Sequence, residues 1–154
     1  MKKGVRFLIP NKYGKYIADV LEVIDCTKYA WSIVPSDTDI SKIVNGKYGD
    51  ELFLDYIIAG NDFVHLINNN IYYAIFAKLN AFLKDVPITE FDNYEDFIDS
   101  NCEICMLIVD SSYVDVYCKD VSLIEKIYNN AKNKEYERIE YIGEDDNRRR
   151  LAVW

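Results

Sequence analysis

The stretch "CEICMLIVDSSYVDVYCKD", residues 102–120, contains three of the four cysteines of the chain around a run of apolar residues. Strand-type residues flank the turn sequence "DSS" on both sides, which is the pattern of a β-hairpin. A turn loop of two or four residues would place Cys105 directly opposite Cys118 and give the hairpin one wholly apolar face. Since a buried face fixes the register of a strand pair, we predict a hairpin over residues 104–119 whose apolar face lies in the core.

The spacing of Cys102 and Cys105 is also the C-x-x-C spacing of metal and redox sites. A structural zinc site usually places such a pair on a turn and needs a second pair of ligands, whereas these two cysteines lie on a predicted strand. Residues three positions apart on a strand point to opposite faces of the sheet. Free cysteine is among the most buried residue types, so we interpret these cysteines as core residues and predict no metal site.

The same stretch lies largely inside an acidic part of the chain. The net charge is −8, yet residues 1–84 carry ten basic and nine acidic side chains, and residues 119–154 carry eight of each. Residues 85–118 carry nine acids and no base. A surface of one sign steers oppositely charged partners, although acids near the start of a helix are also favoured by its dipole. The candidate binding residues in this segment are Glu90, Asp92, Glu95, Asp96, Asp99 and Glu103.

Other motifs carry little chemistry. His65 is the only histidine and lies between apolar residues, which is typical of a partly buried structural histidine. No glycine-rich phosphate loop and no calcium loop occurs. We interpret "RRR" at 148–150, which follows three nearby acids, as part of a solvated hairpin. The negative net charge disfavours nucleic acid as a partner, and no residue pattern calls for a cofactor.

The fold class follows from the alternation of strand and helix patterns along the chain. A chain of 154 residues fits one domain, residues 1–154. The mixture of elements, with prominent hairpins, predicts an α+β fold with a mixed or largely antiparallel sheet and three to four helices. Strands are expected at 4–9, 29–34 and 71–82, on both sides of Asn45-Gly46, and on both sides of "EDDN" near the end of the chain. Helices are expected at 13–24 with Asn11 as the cap, at 61–67, at 91–99 with Asp92 or Asn93 as the cap, and at 121–133 with a Ser122–Glu125 capping box.

The start of the chain does not read as a secretory signal. Arg6 interrupts its apolar run, and Pro10 ends that run before a hydrophobic region of sufficient length can form. No other stretch approaches the ~20 apolar residues that span a bilayer. We therefore predict a cytoplasmic protein with reduced cysteines and no membrane partner.

Three segments resemble one family: "LIVDSSYVDVYCKD" in the hairpin, "LAVW" at the end and "GVRFLIPNKYGKYI" near the start. They are similar to a family of short uncharacterised Gram-positive bacterial proteins that is known as a domain of unknown function. The resemblance covers nearly the whole chain. It implies a stand-alone, single-domain cytoplasmic protein without an assigned activity, and no catalytic residue is carried over from it.

Three classes of function remain open at this point. The charge distribution favours a non-enzymatic binding protein that presents an acidic face, residues 85–118, to a basic protein partner, as small acidic immunity or inhibitor proteins do. The alternative is a small-molecule or nucleotide-binding protein with a pocket between sheet and helices lined by tyrosines. A hydrolase that uses paired carboxylates is the third and least favoured class.

Overall fold

The computed structural model, which describes residues 1–154, contains nine strands and four α-helices. All strand pairs are antiparallel, so the predicted α+β fold with a largely antiparallel sheet is confirmed. In chain order the elements are β1 (Gly4–Leu8), α1 (Tyr16–Leu21), β2 (Tyr29–Ile33), β3 (Asp39–Val44), β4 (Lys47–Glu51), β5 (Ile57–Ala59), α2 (Gly60–Asn68), β6 (Tyr72–Leu83), α3 (Tyr94–Asp99), β7 (Cys102–Val109), β8 (Tyr113–Cys118), α4 (Val121–Asn133) and β9 (Glu137–Ile142). Short 3-10 turns lie at Cys26–Lys28 and Pro35–Asp37.

The long strand β6 organises the sheet. Its first half pairs with β3 and its second half with β2, while β7 pairs along its other edge. The strand order is β4-β3-β6-β7-β8-β1-β9, and β5 adds to the outer edge of β2. Because β6 is shared by these pairings, residues of β2, β6 and β7 lie side by side on each face of the sheet.

Both faces of the central strands are covered. Helices α1, α2 and α4 contribute apolar residues to the larger core on one face, together with Leu79 and Met106. The other face carries a smaller core that includes Cys105 and Leu107, and it is covered by the connection 84–101 and the C-terminal segment 143–154. This two-sided burial explains why β7 reads as a continuous apolar run rather than as an alternating one.

The hairpin between β7 and β8 has a three-residue loop, so the predicted register is wrong. Cys105 lies opposite Tyr117, and Ile104 lies opposite Cys118. The loop residue Ser111 is buried and its N–H donates to Ile75 O at 3.0 Å, with φ of 67°. A one-residue change of register moves every side chain of a strand to the other face. Asp115 is therefore on the face of the smaller core.

The prediction that Cys102 and Cys105 point to opposite faces is also wrong. A register shift opposite Ala81 and Phe82 inserts an extra residue into β7, and both cysteines pack in the smaller core. All four cysteines are buried and free. Burial raises the pKa of Cys105 to about 12, which keeps the thiol protonated at neutral pH and unreactive.

Turn and cap predictions were right where a single residue type decides the geometry. Asn45 and Gly46 both have positive φ, 53° and 75°, as a type I′ hairpin turn requires. Asn93 caps α3, and its Oδ1 accepts from Asp96 N at 2.8 Å. In both cases one or two adjacent residues decide the geometry: positive φ in the turn, and a side-chain acceptor before the first turn of α3.

Two predicted caps are wrong. Asn11 lies well before α1, which begins at Tyr16, and its Oδ1 accepts from Tyr73 OH instead. Helix α4 is capped by Asp120, whose Oδ1 accepts from Ser122 N at 2.8 Å. Glu125 does not complete a capping box, since its carboxylate accepts from the side chains of Lys2 and Tyr141.

The end of the chain forms one strand, not two. After β9 the residues 143–154, which we call the C-terminal strap, cross the sheet without forming a further strand. Leu151 N donates to Asp92 O at 2.8 Å, and the rings of Trp154 and Phe76 lie 5.1 Å apart. None of the helices combines the length and the apolar content that crossing a bilayer requires.

Candidate functional site

The acidic candidates lie on the connection between β6 and β7. Helix α3 packs Tyr94 and Phe97 against the smaller core. The ring centroids of Phe97 and Phe91 lie 5.4 Å apart. Because one side of this short helix is held by aromatic packing, Glu95 and Asp99, four residues apart, project together toward solvent.

Five of the six predicted site residues come together on this connection, and we call them the acidic face. They are all exposed: Glu90, Asp92, Glu95, Asp96 and Asp99. Glu103 is not part of the group, because it is half-buried on β7. Burial raises the pKa of Tyr29, and the negative charge of Glu103 raises it further, so the Glu103 carboxylate acts on a residue of the larger core.

Bases from distant segments approach the acidic face. Arg150 binds Asp92 at two points, Nε to Oδ2 at 2.8 Å and Nη2 to Oδ1 at 2.9 Å. These hydrogen bonds lower the pKa of Asp92. Lys3 Nζ lies 4.5 Å from the ring centroid of Tyr94, and Lys119 Nζ donates to Ser100 O. The other four carboxylates of the acidic face have no basic group within 4.0 Å.

The interpretation of "RRR" as part of a hairpin is wrong, because no strand follows β9, but two of the three arginines, Arg149 and Arg150, are exposed to solvent as expected. Arg150 pairs with Asp92, while Arg148 Nε lies 2.9 Å from Oδ2 of the buried Asp115. Arg6, which is opposite Asp115 in the sheet, binds the same carboxylate at 2.8 Å and also binds Asp146 at 3.1 Å. These ion pairs fix the C-terminal strap to the sheet.

A cleft of about 610 Å³ opens beside the acidic face. One wall is formed by residues 32–37 with Tyr56 and Ile57, and the other by residues 88–92 with Asp96 and Arg150. Tyr56 is the only tyrosine that lines the cleft. The cleft lies on the sheet face opposite to α1, α2 and α4. The cleft thus lies between the sheet and the connection that carries α3, and it differs from the expected pocket in having a single tyrosine in its lining.

The floor of the cleft is polar although it is buried. Lys78 and Asn80 of β6 both line the cleft, and they are only 4% and 2% exposed. Lys78 Nζ donates to Phe91 O at 2.6 Å and lies 4.7 Å from the Phe91 ring centroid. Asn80 Oδ1 is buried without a hydrogen-bond partner. The floor of the cleft therefore has one cationic donor, on Lys78, and one enclosed acceptor without a partner, on Asn80.

No motif in the sequence indicated the cleft floor. The available signal was "FAKLNAF" within β6, where two polar residues at alternate positions interrupt a strand that is otherwise apolar. This pattern usually indicates a sheet face that is exposed to solvent. Here the connection 84–101 and the strap cover that face and bury Lys78 and Asn80. His65, predicted to be partly buried, is exposed on α2, where Asn69 Nδ2 lies 3.2 Å from its Nδ1.

The fold and the site together define a small α+β protein with an antiparallel sheet, an acidic face and a polar cleft. The chain belongs to the family described as "Protein of unknown function (DUF2691)", whose model matches residues 2–152. It is 38% identical over 156 residues to "Uncharacterized protein YncE" of Bacillus subtilis (strain 168), and the match covers 99% of this chain and 100% of that protein. No solved structure matches the chain. The family resemblance noted in the sequence is thus confirmed.

Proposed function

We propose that the protein is a non-enzymatic, cytoplasmic binding protein that presents the acidic face to a basic surface of a partner protein, as immunity or inhibitor proteins do. The observation that carries the proposal is the group of four exposed carboxylates without a basic group within 4.0 Å, on one short connection. Only Asp92 among the five is neutralised by an ion pair. Such a surface accelerates encounter with an oppositely charged partner and helps to select it.

The acidic face is held in a fixed arrangement. Asn93 caps α3, and Tyr94 and Phe97 anchor the helix in the smaller core. Burial raises the pKa of Tyr94, and the charges of Glu144 and Glu95 raise it further, so Glu144 of the strap extends the acidic field. A preorganised charge pattern avoids the entropy cost of ordering a mobile segment on binding.

A carboxylate-based hydrolase has less support. The general acid of such an enzyme needs a carboxyl group with a raised pKa, so that it carries a proton near neutral pH. Asp92 lines the cleft, but its pKa is lowered by the hydrogen bonds from Arg150. Asp92 therefore lacks the proton that this role requires.

The test compares two variants with the same change in net charge. The first replaces Glu90, Glu95, Asp96 and Asp99 by their amides and keeps Asp92, whose ion pair is structural. The control replaces four exposed acids elsewhere: Asp50, Glu51, Asp55 and Asp62. Immobilised protein is incubated with native lysate at ~0.05 M salt, where the screening length exceeds about 10 Å, and retained proteins are identified by mass spectrometry.

We expect wild type and the control to retain a basic partner that the first variant loses. The complex should release its partner as the salt concentration rises toward ~0.5 M, because surface charges are then strongly screened. Cross-links from the partner should map to residues 90–99. The proposal is wrong if the first variant captures the same proteins as wild type.

A further inference from the structure

The buried ammonium group of Lys78 lacks a counterion in direct contact. None of the ion pairs in the structure involves Lys78. Its single hydrogen bond, to Phe91 O, uses one of the three donors that an ammonium group has. A buried charge without a partner is costly unless something compensates it. Since Lys78 lines an open cleft, an anionic ligand group can provide that compensation.

Asn80 presents the complementary group on the same face. It is two residues after Lys78 on β6, so the two side chains point the same way, about 7 Å apart along the strand. Its Oδ1 is the only buried side-chain nitrogen or oxygen atom in the chain without a hydrogen-bond partner. Nearly all buried polar atoms in native proteins have a partner. Since Asn80 lines the cleft, this unpaired acceptor favours a ligand that donates an N–H or O–H, which reaches Oδ1 once the side chain turns toward the cleft.

Asp37 adds a negative charge to the wall of the cleft. Its side chain is 7% exposed and accepts hydrogen bonds from Ser36 Oγ at 3.1 Å and Val153 N at 3.3 Å. It takes part in no ion pair, and a carboxylate can accept about four hydrogen bonds. The cleft therefore has a cation at its floor, a buried anion at one wall, the Asp92–Arg150 ion pair at the other wall and two further carboxylates, Glu90 and Asp96, at its rim.

We propose that this cleft binds a small zwitterion of the amino-acid type. The ligand carboxylate binds the Lys78 ammonium group, and the ligand amino group donates to Asn80 Oδ1 and to the Asp37 carboxylate. The volume of about 610 Å³ lies within the range of small-molecule sites. This inference goes beyond the proposed function, because Glu95 and Asp99 of the acidic face do not line the cleft.

The binding experiment uses the full chain and defined probes. Each of the twenty protein amino acids is added at ~10 mM, which detects millimolar affinities of about −4 kcal/mol. Binding is followed by ¹H–¹⁵N NMR of the Asn80 side-chain amide and of the backbone amides of residues 32–37. For each amino acid that shifts these signals, two analogues are tested: the acid without the amino group and the amine without the carboxyl group. Both should bind about tenfold more weakly or worse, since each leaves a buried group unpaired.

Two variants and a control assign the roles of the floor residues. Lys78→Met keeps most of the aliphatic stem and removes the charge, Asn80→Leu removes the open acceptor, and Lys47→Met changes an exposed lysine remote from the cleft. Lys78→Met and Asn80→Leu should each lower affinity by about tenfold or more, whereas Lys47→Met should bind like wild type. Lys78→Met also removes the donor to Phe91 O, so urea denaturation is used to verify that the variant is folded under the binding conditions.

Several outcomes would overturn the proposal. It is wrong if no amino acid at ~10 mM shifts the cleft signals, or if the deaminated acids and the amines bind as well as the intact amino acid. It is also wrong if Lys78→Met folds and binds like wild type. If Lys78→Met does not fold, the same decision rests on Asn80→Leu. Because Glu90 and Asp96 belong to both surfaces, a variant in which only Glu95 and Asp99 become amides separates the two proposals: it should weaken capture of a protein partner and leave these readouts unchanged.

Discussion

Arg148 and Asp115 are joined by an ion pair, Nε to Oδ2 at 2.9 Å, between the C-terminal strap and the sheet. Asp115 is buried, so its charge depends on the two guanidinium groups that bind it. Replacing Arg148 with Met leaves the carboxylate with Arg6 alone. We expect the free energy of unfolding to fall by about 2 kcal/mol, the range for a hydrogen bond to a charged group, as measured by urea denaturation.

The matched control for this prediction is the neighbouring arginine. Arg149 is exposed and takes part in no ion pair, so Arg149→Met should change stability by less than about 0.5 kcal/mol. Hydrogen exchange distinguishes a local effect from a global one. In Arg148→Met the amides of Leu151 and Val153 should exchange faster than they do in wild type, and this increase should exceed that of the β6 amides. Equal stability of the two variants would contradict the prediction.

The ion pair between Asp92 and Arg150 has a defined dependence on pH. The pKa of Asp92 is lowered in the folded protein, so the pair stabilises the fold at pH values above the pKa of an unfolded aspartate, about 3.9. That contribution is lost as the pH falls through the lowered pKa of the folded state. An NMR titration of the Asp92 carboxyl carbon should give a midpoint below the ordinary value. Arg150→Met should raise this midpoint, and Arg149→Met should not.

The thiol groups should be unreactive in the folded protein. Burial raises the pKa of Cys26 and of Cys105 to about 12, and the thiolate is the reactive form. At pH 8 we expect no alkylation of the native chain by iodoacetamide during a time that fully modifies the chain in urea. Asn129→Cys places a thiol at an exposed position of α4 and serves as the positive control. Modification of Cys105 in the native chain would show that the smaller core opens.

Helix α4 ends in a Schellman motif that has a residue other than glycine at its left-handed position. Glu135 has φ of 59°, its N–H donates to Lys132 O at 3.0 Å, and Tyr136 N–H donates to Ala131 O at 3.1 Å. Glycine adopts this conformation without the steric cost that a Cβ atom brings. Glu135→Gly should therefore raise the free energy of unfolding by about 1 kcal/mol. Glu135→Ala keeps the Cβ atom and should give no gain.

Local patterns predicted those features that a few adjacent residues decide. The Asn45-Gly46 turn, the Asn93 cap and the strands at 29–34 and 71–82 follow from residue types within a short window. The exposure of the carboxylates on α3 was predictable for the same reason. Tyr94 and Phe97 on this helix need burial, which leaves the acids outside.

Features decided by distant segments were not predictable in this way. The predicted register of the hairpin was wrong because both faces of β7 are buried, so the apolar pattern fits either register. The position of the cleft was not predicted, because Asp37, Lys78 and Arg150 come from three distant parts of the chain. Only pairing in the sheet and the path of the strap bring them together.

Strand β6 forms the floor of the cleft and also lies in the middle of the sheet. Binding of a ligand in the cleft is therefore coupled to the thermal unfolding of the whole fold. A ligand that binds only the folded chain raises its stability by an amount set by concentration and affinity, about 2.7 kcal/mol at a hundred times the dissociation constant. Because the Lys78 and Asn80 backbone pairs with β7, and Asn80 also pairs with β2, a bound ligand cannot remain while the central sheet separates. A rise in melting temperature is therefore a direct and label-free measure of what the cleft accepts.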